Sequence, residues 1–174
     1  MVSAAHRASS IEAIIFDVDG VLTDGGLYRS DDGQEMKRFH AMDGLGIRML
    51  SDAGVEIAII TGRTSQVVAH RCEELQIKHV YQGQRDKLSA FEDLSSELQL
   101  SPQDIAYMGD DIIDLPCMRR VGLALTVPDA CQEIAAIAHW TSRRHGGHGA
   151  AREACELILK AKGLYGDAVK RYMI

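Results

Sequence analysis

The chain has 174 residues, enough for one domain with a real core, and its 46% apolar content is ordinary for a globular protein. Acidic and basic residues nearly balance at net charge −6, with no basic cluster, which argues against a nucleic-acid partner. No apolar stretch reaches the roughly 18–20 residues that span a bilayer, and residues 1–10 lack the apolar core of a secretory signal, so they read as a frayed, polar lead-in.

The first element is the apolar run Ala13-Ile14-Ile15-Phe16, which predicts a buried strand. Asp17-Val18-Asp19-Gly20-Val21-Leu22-Thr23-Asp24 follows at once. Residues two apart on an extended chain share a face, so Asp17 and Asp19 can point into one cleft, and Gly20 lets the chain turn just after them. Two carboxylates that close repel unless a cation sits between them or one holds a proton. That is the electrostatic arrangement of a metal-assisted site.

Residues 26–30 and 35–39 flank Asp31-Asp32-Gly33-Gln34, and Asp-Gly between two period-2 runs predicts a hairpin over about 26–40. It is too short for a second domain, and no segment in cis is expected to lid the site. Further strands are predicted at 56–60, 79–81, 105–108, 123–125 and 137–140, and helices at 44–53, 65–75, 86–98, 112–121, 130–136 and 150–162. After Gly163 and Gly166 the periodicity fades, so 163–174 reads as a mobile tail. Residues 11–162 then form one α/β domain, a parallel sheet with helices on both faces. Ligands bind beyond the carboxyl ends of the strands in such sheets. Asp17 and Asp19, Thr61-Gly62-Arg63, and Asp110-Asp111 all fall there. Cys72, Cys117, Cys131 and Cys155 form no CxxC pair and read as reduced thiols of a cytoplasmic protein.

Chemically, the Asp17 carboxylate can attack phosphorus to give an aspartyl-phosphate, and Asp19 can protonate the departing alcohol. Thr61 offers a hydroxyl and an N–H to a phosphoryl oxygen, and Lys87 offers positive charge. Asp110 completes an oxygen site suited to Mg²⁺. Each piece alone is weak: a lone DxD is more often a turn, and Asp110, Asp111 and Asp114 could simply cap the next helix. Their joint order along the chain is what carries weight.

DVDGVLTDG, ITGR, Lys87 and GDDIID resemble the four signature motifs of the haloacid dehalogenase superfamily of phosphohydrolases, over about residues 11–161. The resemblance implies a Rossmann-like, capless fold with Asp17 as nucleophile and Asp19 as general acid/base. It implies Mg²⁺ held by the side chains of Asp17 and Asp110 and the backbone carbonyl of Asp19, with Asp111 and Asp114 in support. Thr61, Gly62 and Lys87 would bind the phosphoryl group.

The segments AMDGLGIRML, AIITGRTSQVVAHRCEELQI, VYQGQRDKLSAF and GGHGAAREACELIL, with the hairpin in place of a cap, are similar to the 3-deoxy-D-manno-octulosonate 8-phosphate phosphatase family. That likeness implies a sugar-acid phosphate substrate on the route to the lipopolysaccharide inner core. It also implies a homotetramer in which hairpins form a central barrel and a neighbour covers each site. Arg63 and Arg71, about two helical turns apart, become candidates for sugar-acid recognition, because a guanidinium fork suits a carboxylate. The same architecture serves phosphatases of nine-carbon sugar acids such as 2-keto-3-deoxynononate 9-phosphate. It also serves non-catalytic assembly domains, which the intact acids argue against. His145-Gly146-Gly147-His148 reads as a flexible connection rather than a zinc site, and His40 and His70 read as structural.

Overall fold

A computed structural model describes residues 2–173. In chain order the elements are α1 (Ala4–Ala8), β1 (Ala13–Phe16), β2 (Tyr28–Arg29), β3 (Glu35–Met36), α2 (Ala41–Asp52), β4 (Glu56–Ile60), α3 (Gln66–Glu74) and β5 (His79–Tyr81). There follow α4 (Lys87–Leu98), β6 (Ile105–Met108), α5 (Leu115–Met118), β7 (Leu123–Thr126), α6 (Gln132–Ile137), β8 (Trp140–Thr141), α7 (Ala150–Ala161) and α8 (Tyr165–Lys170). Single 3-10 turns occupy Pro102–Asp104 and Ile112–Asp114.

The main sheet has the order β5-β4-β1-β6-β7-β8, and every neighbouring pair is parallel. Its central strands are apolar throughout because both faces are covered. Ile14, Phe16, Ile59, Met108 and Leu125 face a core shared with Ile47, Leu50, Cys155 and Ile158 of α2 and α7. Ala13, Ile15, Ile60 and Tyr107 face the opposite core, with Phe91 and Leu94 of α4, Cys117 of α5 and Ile134 of α6. Phe16 stands opposite Ile59 on one side and Met108 on the other. The chain thus leaves β1 toward β4 and β5, then crosses back to β6. The crevice of a doubly wound sheet lies at such a reversal, here at the carboxyl end of β1.

Several expectations change at the edges. The lead-in is not frayed: Ser3 caps α1 by accepting from His6 N at 3.2 Å, and Ala8 and Ile11 are fully buried. The tail is likewise helical over Tyr165–Lys170, with Ala168 buried and Leu164, Tyr165 and Val169 against the core. Both helices are too short for their four-residue spacing to register as periodicity. The helix expected over 112–121 divides into the 3-10 turn and α5, where Pro116 has no N–H to continue the first turn. The strand expected over 137–140 starts at Trp140, because α6 runs to Ile137. The hairpin is shorter than its sequence span, pairing Tyr28 with Met36 and Arg29 with Glu35 around a turn closed by Ser30 N to Gln34 O at 3.0 Å.

Candidate active site

Three adjacent strands deliver the central residues. Asp17 directly follows β1, Thr61 directly follows β4 and Asp110 lies just past β6, and these strands are neighbours in the order β4-β1-β6. Asp17 N still donates to Met108 O at 3.0 Å, so the ladder fixes the backbone up to the carboxylate. The chain then turns hard. Val18 O accepts from Leu22 N at 2.9 Å and Thr23 N at 3.0 Å, and Gly20 sits at φ +90°. A Cβ on Gly20 would overlap the Asp110 carboxylate, so glycine is required there for close approach as well as for the turn.

Lys87 opens α4, capped by Asp86, and its ammonium is buried between two carboxylates. It lies 2.8 Å from Asp17 Oδ2 and 2.6 Å from Asp114 Oδ1. Burial alone would lower the Lys87 pKa, but the charges of Asp17 and Asp114 outweigh it and raise it. Asp114 is fully buried and saturated with donors. Tyr107 donates to Oδ1 at 2.7 Å, and the N–H groups of Asp110 and Asp111 donate to Oδ2 at 3.1 and 3.3 Å. The Asp111 side chain is exposed and caps the 3-10 turn at Ile112 N. Thr61 is buried, its N–H on Tyr81 O at 2.9 Å and its carbonyl accepting from Gln84 N at 3.0 Å. Gly62 lies beside Ile113.

Asp17, Asp110 and Asp114 each place a carboxylate oxygen within 4.8 Å of the others. Asp110 Oδ1 is buried without a hydrogen-bond partner among the described residues. Burial, followed by the charges of Asp17 and Asp114, pushes the Asp110 carboxyl up to about 7. Burial, then the charge of Asp114, raises Asp17 to about 6 against the opposing pull of Lys87. A hard divalent cation relieves these costs together, and carboxylate oxygens are its natural donors. The set therefore fits Mg²⁺, with Asp17 and Asp110 as side-chain donors and Asp114 already committed to Lys87 and Tyr107.

The Asp19 carboxylate lies outside this cluster. It pairs with Lys37, whose side chain is only 1% exposed, and stands 3.6 Å from Arg63 Nε. Arg63 Nη2 in turn lies 3.3 Å from Glu35 Oε1. The end of the hairpin therefore reaches Asp19 in cis, through Lys37 just after the second strand. Glu35 and Lys37 carried a legible signal, since residues i and i+2 share a strand face, but nothing in sequence says which face meets Asp19. Tyr107 was hidden inside an apolar strand.

Arg71 is placed differently from the expectation. Ser65 caps α3, so Arg63 precedes the helix and the two arginines share no helical face. Arg71 pairs with Glu74 at 3.0 Å and lies over the Phe39 ring at 5.8 Å, against Gly44. The Gly146-Gly147 segment is also not a loose connection. A Cβ on either would overlap the backbone of Gly20 or Thr23, and Gly147 N donates to Val21 O at 3.0 Å. This loop walls a cleft of about 710 Å³ that borders Gly20 and Asp110 and carries Arg144, His145 and His148.

Comparison with known proteins follows the same lines. The haloacid dehalogenase-like hydrolase family matches residues 79–153. The chain is 46% identical over 162 residues to 3-deoxy-D-manno-octulosonate 8-phosphate phosphatase KdsC of Escherichia coli K12, covering 93% of this chain and 86% of that protein. A probable YrbI-family phosphatase from Pseudomonas syringae superposes with a TM-score of 0.96 at 47% identity, covering 98% and 97% of the two chains. The Moraxella catarrhalis 3-deoxy-D-manno-octulosonate 8-phosphate phosphatase, solved with magnesium, phosphate and the sugar acid, superposes with a TM-score of 0.95 at 40% identity over 97% of each chain. By both sequence and fold, the chain belongs to the 3-deoxy-D-manno-octulosonate 8-phosphate phosphatase family of haloacid dehalogenase-like hydrolases.

Proposed function

We propose that this protein is a Mg²⁺-dependent phosphatase that hydrolyses 3-deoxy-D-manno-octulosonate 8-phosphate to the free sugar acid and phosphate, in lipopolysaccharide inner-core synthesis. One observation carries the chemistry: Asp17 is buried and held by Lys87, beside Asp110 Oδ1, which has no hydrogen-bond partner among the described residues. Mg²⁺ held by Asp17 and Asp110 would offset their mutual repulsion and draw charge from the phosphoryl oxygens.

The chain's own residues account for the remaining steps. Lys87 and the Val18 N–H, at 2.8 and 2.7 Å, hold the two oxygens of Asp17 in place. An Asp17 oxygen attacks phosphorus, the bond to the sugar oxygen breaks, and Asp19 gives that oxygen its proton. Water then attacks phosphorus and loses a proton to Asp19, and the bond to Asp17 breaks. Thr61 and Lys87 bind the phosphoryl group in both steps. The cleft beside Asp110 falls in the usual range of roughly 300–1,000 Å³ for small-ligand sites, and Arg63 and the basic loop residues favour an acidic sugar.

We also read the protein as a cytoplasmic homotetramer. Exposed Leu27, Tyr28 and Met36 on the hairpin support the association. The free cysteines support a reducing compartment. Among the described residues no helix is long and apolar enough to cross a membrane.

Rapid quenching with labelled substrate, followed by peptide mass spectrometry, tests the mechanism. The phosphoryl group is expected on Asp17, and Asp17→Asn should abolish both the adduct and turnover. An adduct on another residue would contradict the assignment.

A further inference from the structure

Asp19, Lys37, Glu35 and Arg63 form a closed ring of alternating charge. Lys37 Nζ pairs with Asp19 Oδ1 and lies 3.8 Å from Glu35 Oε1. Arg63 Nη2 is 3.3 Å from the same Glu35 oxygen, and Arg63 Nε is 3.6 Å from Asp19 Oδ2, which closes the ring. The four members are not equally wet. The Lys37 side chain is 1% exposed, against 21% for Asp19, 19% for Glu35 and 38% for Arg63.

A lysine buried to that degree is costly unless its charge is matched, and Asp19 and Glu35 are its ion-pair partners among the described residues. Glu35 opens the returning strand of the hairpin and Lys37 follows directly after it, two residues on, and both side chains reach the Arg63–Asp19 pair. That end of the hairpin is pinned to the catalytic loop at Asp19. Asp19 otherwise sits on a short turn, with its carboxylate outside the group formed by Asp17, Asp110 and Asp114. Its direction is therefore set by Lys37 on one oxygen and Arg63 on the other rather than by the acids around it.

We propose that Lys37 is a positioning residue for Asp19. With Glu35 as its brace, it holds the carboxylate where proton transfer takes place and ties the hairpin to that step. The proposal rests on the phosphatase reading above. Proton transfer requires the acid or base within hydrogen-bond reach of the oxygen it serves, and a freely rotating Asp19 satisfies that only part of the time. Lys37 does not itself touch the phosphoryl group in this role, so its loss should be felt in turnover and not in substrate affinity.

p-Nitrophenyl phosphate separates the two ideas, because nitrophenolate leaves without a proton from Asp19 whereas release of phosphate from Asp17 still needs Asp19 as base. The unmodified protein, Lys37→Met, Lys37→Arg, Asp19→Asn and the Lys37→Met/Asp19→Asn double variant are compared by stopped-flow burst and steady-state kinetics with Mg²⁺. Lys37→Met should keep a burst of about one nitrophenolate per site, then turn over roughly 30–100-fold more slowly, with KM falling alongside kcat and kcat/KM within about threefold. On the Asp19→Asn background it should cost less than about threefold more, since both substitutions remove one function. Lys37→Arg should recover about tenfold. Losses that multiply in the double variant, a rise in KM alone, or full turnover in Lys37→Met would overturn the proposal. An unmodified protein that forms no phosphoenzyme would overturn the phosphatase reading and this proposal with it. If Lys37→Met does not fold, Glu35→Gln carries the test: a roughly three- to tenfold loss confined to the slow phase supports the brace, and unchanged turnover refutes it.

Discussion

Burial and the charges of neighbouring carboxylates act together on Asp17 and Asp110, opposed by the charge of Lys87 and, at Asp17, by the Val18 N–H. The carboxyls titrate near 6 and near 7, against an ordinary value of 3.8. A carboxyl whose pKa is raised in the folded protein binds its proton more tightly there than when unfolded. Its contribution to stability is complete below about pH 3.8 and is lost as pH rises through 6 and then 7. A cation bound by the two carboxylates relieves that loss, and only where they are ionised. Saturating Mg²⁺ should therefore raise the melting temperature by several degrees at pH 8 and by little at pH 5.5, as read by scanning calorimetry. An equal rise at both pH values would place the ion elsewhere. Asp114 illustrates a different economy of contacts. Its two oxygens serve a lysine, a tyrosine hydroxyl and two backbone N–H groups, so its role is to align Lys87 and the Asp110 loop.

Among the elements, the Gly-rich loop and the hairpin decide how the site is enclosed. Asp43 of α2 accepts from Gly149 N at 3.2 Å and Arg152 N at 2.8 Å, which caps the start of α7 from a neighbouring helix. The loop before α7 is thereby pressed onto the turn after β1. Gly146→Ala would drive a methyl group into the Gly20 carbonyl, which is backbone and cannot step aside. It should cost about 2–4 kcal/mol in urea unfolding and reduce turnover. Gly163→Ala is the comparison: it has φ +74° and open space around its Cβ position. It should cost only about 1 kcal/mol, from backbone strain, with turnover unchanged. Similar losses in both variants would show that the loop's packing on the turn is unimportant.

The same scale shows what was legible in the sequence. Strands bearing Asp17, Thr61 and Asp110 were readable because a two-sided sheet demands continuous apolar runs, and motif residues follow each directly. The hairpin was readable from Asp-Gly between alternating runs. Its contact with Asp19 was not, because a strand pattern gives two faces and leaves open which face the fold turns inward. Arg71 misled for a related reason: spacing alone put it on a face with Arg63, but the cap at Ser65 starts the helix after Arg63. The terminal helices α1 and α8 have five and six residues, too few for a period of 3.6 to emerge.

At the scale of the whole molecule, the exposed apolar side chains fall unevenly. Leu27 and Met36 on the hairpin are 59% and 61% exposed, and Met42 and Leu45 on α2 are 43% and 41% exposed. A hairpin with such residues on a lone monomer invites association. The account predicts a tetramer by light scattering at micromolar concentration, and a smaller species when Leu27 and Met36 are replaced together by Ser. A monomeric unmodified protein would refute the assembly and leave one side of the site open to solvent.

The most direct measurement of the central claim compares phosphate release, with Mg²⁺, from 3-deoxy-D-manno-octulosonate 8-phosphate, its nine-carbon relative 2-keto-3-deoxynononate 9-phosphate and a simple hexose phosphate. The account predicts a kcat/KM for the eight-carbon acid at least about a hundredfold above the others, or roughly 3 kcal/mol of transition-state discrimination. Equal turnover of all three, or preference for the nine-carbon acid, would contradict it.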